Sequence, residues 1–162
     1  MTEEMDEKDI VILETLRKDS RTSMGQIGEM LGISKATVSR RIAKLEEDGV
    51  IIKHSLEMDP SKLNAMRSLL NIQVIGTAIS TVIDELSKYK EVRYIYKAFG
   101  EHHLVCEVYT KSVNELFEMI QSRILKDLSL FIRSIEVDAL FERIVVNENA
   151  DLTIYRSIQA QK

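Results

Sequence analysis

The chain contains few residues of several types, and each of these low counts excludes certain classes of protein. Its 162 residues include one cysteine, one proline and no tryptophan. A single cysteine, Cys106, excludes an intramolecular disulfide framework and is typical of a reducing cytoplasm. The chain also lacks a basic-plus-apolar leader and any apolar run of the ~18 residues that cross a bilayer. We therefore expect a soluble, cytoplasmic protein with no membrane partner.

Residues that could carry catalysis or hold a metal are also sparse. No glycine-rich phosphate loop is present, and neither Glu101 nor Glu107 has a clear base or nucleophile as a partner. On a strand, His102 and Cys106 would share a face whereas His103 would not, which disfavours a joint metal site. We therefore expect no enzyme activity, no metal and no cofactor.

The overall charge is mildly acidic, with a net charge of -4 and a pI near 5.5. This balance argues against indiscriminate nucleic-acid binding, for which a strongly basic domain is typical. Because fields are screened over about 10 Å at ~0.1 M salt, a local cationic cluster can still attract DNA. A weak electrostatic attraction also suggests that tight binding needs more than one copy of the cluster.

Residues 23–49 have the pattern of two amphipathic helices joined by a tight turn, which is a helix-turn-helix. Ser23 and Gln26 are spaced as a capping box at the start of the first helix. The predicted buried face of this helix comprises Ile27, Met30 and Leu31. Gly32 can end the helix in a left-handed conformation, and Ser34 can cap the next helix. Upstream, Asp6 can cap a third helix that reaches Lys18.

The second helix of this motif has an apolar side and a cationic side. Val38, Ile42 and Leu45 recur at spacings of four and three and predict a buried stripe. In a recognition helix, N-terminal residues reach base edges in the major groove while lysine and arginine neutralise phosphates. The candidate DNA-binding residues are Ser34, Lys35, Thr37, Ser39, Arg40, Arg41 and Lys44, with Lys35 and Thr37 as the predicted base contacts. The alternative is an ordinary solvated helix face.

The remaining pattern predicts a linking segment and a second domain. Residues 51–65 are interpreted as a linking strand and hinge around Pro60. From residue 66 the order is strand, helix, strand, strand, helix, strand, the βαββαβ arrangement of a ferredoxin-like domain. The predicted strands are 69–75, 92–99, 102–109 and 131–146, and the predicted helices are 78–89 and one from Ser112 or Asn114 to about Asp127. Both helices on one face leave the other face open, which favours a homodimer.

The predicted organisation is therefore α+β. A three-helix, winged-type helix-turn-helix domain occupies residues 1–50, the linker 51–65, and the βαββαβ effector and dimerisation domain 66–146. Residues 147–162 form a C-terminal extension that is either a short amphipathic element or a frayed tail.

Several segments together resemble the Lrp/AsnC, or feast/famine, family of prokaryotic transcription regulators. They are Asp6–Ile10, Lys18–Arg21, Leu31–Ser34, Arg41–Ile51 and the turn at Gly100. The resemblance spans about Met5 to Val146. It implies a dimer or a higher homo-oligomer of dimers, operators with two-fold character, and an amino acid or related small molecule as effector.

One loop departs from the family pattern. In that family, the loop between the second and third strands usually reads Gly, two variable residues, then Asp, and it contributes to an effector pocket between subunits. This sequence has Gly100-Glu101-His102-His103. Glu101 could replace the missing acid, the site could prefer another ligand, or it could bind none. The histidines could instead be polar turn residues, or could make assembly pH-sensitive.

Together these features predict a sequence-specific transcription regulator that binds double-stranded DNA as a dimer or an assembly of dimers. The alternative is a small-molecule sensing or assembly protein whose N-terminal domain docks on protein, which the acidic net charge favours.

Overall fold

The computed structural model describes residues 5–160 and divides into two compact units. The first unit comprises the chain up to Glu57 together with the segment that begins at Val145, and the second comprises Met58–Ile144. The first unit is therefore discontinuous in sequence. No helix within residues 5–160 is long and apolar enough to cross a membrane.

The first unit begins with three helices, α1 (Glu7–Lys18), α2 (Met24–Leu31) and α3 (Lys35–Glu47). All three predicted caps are confirmed, because the side chains of Asp6, Ser23 and Ser34 accept hydrogen bonds from backbone N–H groups of the first helical turns. The predicted end of α2 is also confirmed, since Gly32 adopts a left-handed φ of 63°. The core of these helices consists of Ile12, Ile27, Val38, Ile42 and Leu45.

Two expectations for this region are wrong. Met30 is 64% exposed rather than buried, because the buried side of α2 is centred on Ile27 and Gly28. The predicted linking strand is not formed: residues 52–58 are neither helix nor strand, and a short 3-10 helix follows at Pro60–Leu63. An extended segment becomes a strand only when a neighbouring strand pairs with its backbone.

The second unit is a four-stranded antiparallel sheet with helices on one face. Its strands are β1 (Met66–Val74), β2 (Val92–Lys97), β3 (Leu104–Thr110) and β4 (Ile132–Leu140), in the spatial order β2-β3-β1-β4. Its helices are α4 (Ile79–Leu86) and a continuous helical stretch of α5 (Val113–Glu118), a π-helical part (Met119–Ile124) and α6 (Leu125–Leu128). The predicted βαββαβ order and the ferredoxin-like α+β fold are confirmed.

The last strand ends earlier than predicted. We expected strand structure to residue 146, but β4 ends at Leu140, which pairs with Arg67 near the start of β1. Beyond that point β1 offers almost no further backbone with which β4 could pair. The final helix, α7 (Ala150–Gln159), then packs within the first unit.

Candidate functional site

The outer side of α3 combines cations with very short side chains. Away from its buried stripe, the exposed residues are Ala36, Ser39, Arg40, Ala43 and Lys44, and Lys35 is exposed at the N-terminal end of the helix, in line with the stripe. Alanine and serine allow a helix backbone to approach a surface closely, and an alanine methyl can contact the methyl group of thymine. Sequence reasoning missed Ala36 and Ala43, although their spacing of seven places them on this same side of the helix.

The first turn of α3 is fixed by its cap. Ser34 Oγ accepts a hydrogen bond from the backbone N–H of Thr37 at 3.1 Å, and the hydroxyl groups of Ser34 and Thr37 lie 2.8 Å apart. Thr37 is half-buried, whereas Ser34 and Lys35 are exposed. The N-terminus of a helix carries partial positive charge, so this end of α3 favours phosphate groups.

Arg41 lies on a different side of α3 and pairs with α1. Its guanidinium is 2.9 Å from Asp6 Oδ2 and 2.8 Å from Asp9 Oδ1, and its side chain is 27% exposed. Partial burial alone would raise the pKa of Asp6, but hydrogen bonds from the Asp9 backbone and from Arg41 outweigh it and lower that pKa. The resulting stabilisation is complete above the ordinary carboxyl pKa and is lost as the pH falls through the lowered pKa.

The turn between α2 and α3 depends on a glycine that sequence reasoning did not single out. The backbone N–H of Ile33 donates to the carbonyl oxygen of Gly28 at 2.9 Å. A Cβ atom added at Gly28 would lie 2.6 Å from the carbonyl oxygen of Ile33. Gly28 therefore allows the turn to pack directly on α2, and this contact helps to place α3.

The loop between β2 and β3 contains the four candidate effector residues. His103 Nδ1 accepts a hydrogen bond from the backbone N–H of Val74 at 3.0 Å, and the backbone N–H of His103 donates to Ile72 at 2.9 Å. His103 is thus held against β1. Its ring accepts a hydrogen bond from the backbone N–H of Val74, which lies beyond the last residues that pair β1 with β3. His102 Nε2 lies 3.4 Å from Glu136 Oε2.

The other two loop residues are at the surface. Gly100 has a φ of 144°, which an L side chain rarely adopts, and Glu101 is exposed. The structure therefore separates the four candidates: Glu101 and Gly100 are exposed, whereas His102 and His103 are half-buried, with His103 hydrogen-bonded to β1. Among residues 5–160, no cluster of three histidine, cysteine or acidic side chains is arranged to hold a metal ion.

The sheet face away from the helices is amphipathic rather than purely apolar. Leu69 and Val105 lie on it, since their neighbours Leu70 and Cys106 point into the helix-covered core. Glu107, only 6% exposed, accepts from Arg67 at 2.9 Å and from the Tyr109 hydroxyl at 2.7 Å. The Nε atom of Arg67 is buried without a hydrogen-bond partner in the described structure.

Comparisons with known proteins agree with this geometry. A family model described as winged helix-turn-helix DNA-binding matches residues 5–52. The HTH-type transcriptional regulator LrpA of Pyrococcus abyssi is 33% identical over 123 residues, which cover 74% of this chain and 86% of that protein.

Solved structures show the same fold. E. coli AsnC matches with a TM-score of 0.78 and 20% identity, covering 90% of this chain and 97% of that chain. Transcriptional regulator NMB0573 of Neisseria meningitidis, solved as a complex with L-Met, matches with a TM-score of 0.77 and 17% identity, covering 88% and 94% of the two chains.

Proposed function

Since this chain belongs to the Lrp/AsnC family of DNA-binding transcription regulators, we propose that the outer side of α3 is its DNA-contacting surface. The observation that carries the proposal is the exposed set of cations and short side chains opposite the buried stripe of a capped helix. We assign Lys35 and Thr37, with Ala36 and Ser39, to the groove, and Arg40 and Lys44 to phosphates or bases. Ser34 fixes the helix start.

We assign Arg41 a positioning role rather than a direct DNA contact. Its two carboxylate partners on α1 already fix its guanidinium, and they largely neutralise its charge. A pair of this kind ties the orientation of α3 to that of α1. Arg41 would therefore affect DNA affinity through the placement of α3.

Replacing Arg40 with alanine should weaken specific binding about tenfold. It should also lower the slope of log affinity against log salt concentration by about one for each copy of α3, which corresponds to one lost phosphate contact. The reason is that Arg40 is exposed beside Ser39 on the proposed contact surface. The measurement is the dissociation constant for a selected genomic fragment between ~50 and ~200 mM salt, with excess competitor DNA.

Lys8→Ala is the matched control, because it removes an exposed positive charge from α1 in the same unit. It should leave both the affinity and the salt dependence unchanged. Equal effects of the two substitutions would show that general charge, and not this face of α3, governs binding. Binding that disappears by ~200 mM salt whatever the DNA sequence would instead favour the protein-docking alternative.

We further propose that the chain acts as a dimer joined through the open sheet face. A dimer places two recognition helices on successive major-groove segments about 34–36 Å apart and so multiplies a weak single-site affinity. The support is the position of Leu69, Val105 and the aromatic rings of Tyr94 and Tyr96 on the side of the sheet that the helices do not cover.

Effector binding at the β2–β3 loop is the remaining part of the proposal. A relative of the same fold was solved with L-Met, and Glu101 is the exposed acceptor of this loop, with the half-buried His102 beside it. Glu101 could pair with an ammonium group, whereas His103 is occupied by β1. An amino acid that raises the melting temperature of the wild type should therefore lose that effect in Glu101→Gln. An unchanged thermal shift in this variant would remove Glu101 from the site.

A further inference from the structure

The last helix of the chain packs along one side of α1. Arg17 donates from both terminal nitrogens to Asp151, at 2.6 and 3.0 Å, and also to the backbone carbonyl of Glu148 at 2.6 Å. Arg156 lies 2.7 Å from Glu7 and 3.0 Å from Glu14. The three residues of α1 recur at spacings of seven and three, so they form a single stripe.

Apolar burial accompanies these ion pairs. Ile10 lies on the same stripe of α1 and is only 3% exposed, although it does not belong to the core cluster of Ile12, Ile27, Val38, Ile42 and Leu45. Ile10 and Tyr155 line one groove, and Leu152 on α7 is 6% exposed. Helix α7 thus turns an apolar side that includes Leu152 toward α1, whereas Ile154 and Ile158 lie exposed on its outer side.

The first turn of α1 is bonded on two sides. Glu7 pairs with Arg156 of α7, and the preceding residue, Asp6, pairs with Arg41 of α3 at 2.9 Å. Asp9 completes this arrangement. Its side chain accepts the backbone N–H of Asp6 in the capping box of α1 and also pairs with the Arg41 guanidinium. A displacement of the first turn of α1 would therefore also displace the ion pairs that connect it to the recognition helix.

We propose that α7 is a fourth helix of the DNA-binding unit and that its docking on α1 holds α3 in the orientation that binds DNA. The C-terminal segment then regulates DNA affinity through α1, without touching DNA. This inference rests on the proposed DNA-binding function, and Arg156 is in this role a positioning residue. Undocking of α7 lowers the fraction of binding-competent protein, and the apparent affinity falls by the same factor.

The test replaces Arg156 with glutamate in the 162-residue chain, which places a carboxylate against Glu7 and Glu14. Amide hydrogen exchange of α1, measured without DNA, should become faster, and affinity for the selected fragment should fall about tenfold. Combining Glu14→Arg with Arg156→Glu exchanges the two charges and should recover much of both losses. Arg156 lies in the last turn of α7, where a carboxylate opposes the helix dipole, so the recovery should be incomplete.

Ser157→Glu is the control, since it adds a carboxylate to α7 at the neighbouring, exposed position. It should leave exchange and affinity as in the wild type. Unchanged exchange in Arg156→Glu would overturn the docking role, and faster exchange with unchanged affinity would overturn the control of α3. If the wild type binds no DNA, the proposed function fails, whereas the exchange data still decide whether α7 holds α1.

Discussion

Replacing Gly28 with valine is expected to unfold the DNA-binding unit or to lower its melting temperature by 10 °C or more. The new Cβ would lie 2.6 Å from the carbonyl oxygen of Ile33, a backbone atom that cannot turn aside as the end of a side chain can. Overpacking in a well-packed site costs about 1–3 kcal/mol, and 1 kcal/mol shifts the melting temperature of a domain this small by roughly 4–8 °C. Backbone displacement between α2 and α3 would also misplace the recognition helix, so DNA binding should be lost.

The same substitution at Gly25 provides the control. Gly25 belongs to the same helix, but the nearest atom to an added Cβ there is Ser23 Oγ at 3.8 Å, an ordinary contact. Thermal unfolding and amide exchange of the first unit should show a small change for Gly25→Val and a large one for Gly28→Val. Similar losses of stability in both variants would show that valine destabilises this short helix in general. The close contact between Gly28 and Ile33 would then not explain the effect.

The second large effect is expected from Val105→Glu, which should separate the proposed dimer into single chains. Val105 lies on the open sheet face between Asn71 of β1 and Tyr96 of β2, so a carboxylate there would face no cation directly across either neighbouring strand. Leaving a charge unpaired in an interface costs several kcal/mol, enough to dissociate most dimers at micromolar concentration. Without the tether between two recognition helices, operator affinity should fall by 100-fold or more.

Sedimentation equilibrium gives the direct measurement. The wild type should have a mass of at least twice the 18.6 kDa of one chain, and the variant should have the mass of one chain. Val137→Glu is the control, because Val137 is also on a strand but pairs with Leu70 on the helix-covered side and is 41% exposed. A Val105→Glu protein that stays dimeric would place the interface elsewhere.

Local signals account for the parts of the fold that were predicted correctly. Asp6, Ser23 and Ser34 cap their helices because a cap needs only a side chain and the backbone three residues away. Gly32 ends α2 for an equally local reason. The βαββαβ order follows from hydrophobic periodicity within each element.

The errors and omissions concern partners that are distant in sequence. The linking strand was predicted from β-rich composition, but the structure provides residues 52–58 with no strand to pair with. The ion pairs of Arg41, which is a predicted DNA-binding residue, were not foreseen, because no pattern shows that α1 carboxylates 32 and 35 positions away hold its guanidinium. Gly28 was overlooked for the same kind of reason, since its contact with Ile33 exists only after the turn has formed.

The discontinuity of the first unit has a consequence for synthesis. A ribosome makes α1, α2 and α3, then all of the second unit, and only after it the helix that covers Ile10 and pairs with Glu7. At about 5–20 residues per second, several seconds pass between the completion of α3 and the emergence of α7. During that time the nascent chain exposes an incomplete DNA-binding unit. A polypeptide released early would keep the residues of the sheet but lack this helix. In the proposed dimer, such a truncated subunit paired with an intact one would contribute a defective DNA-binding unit.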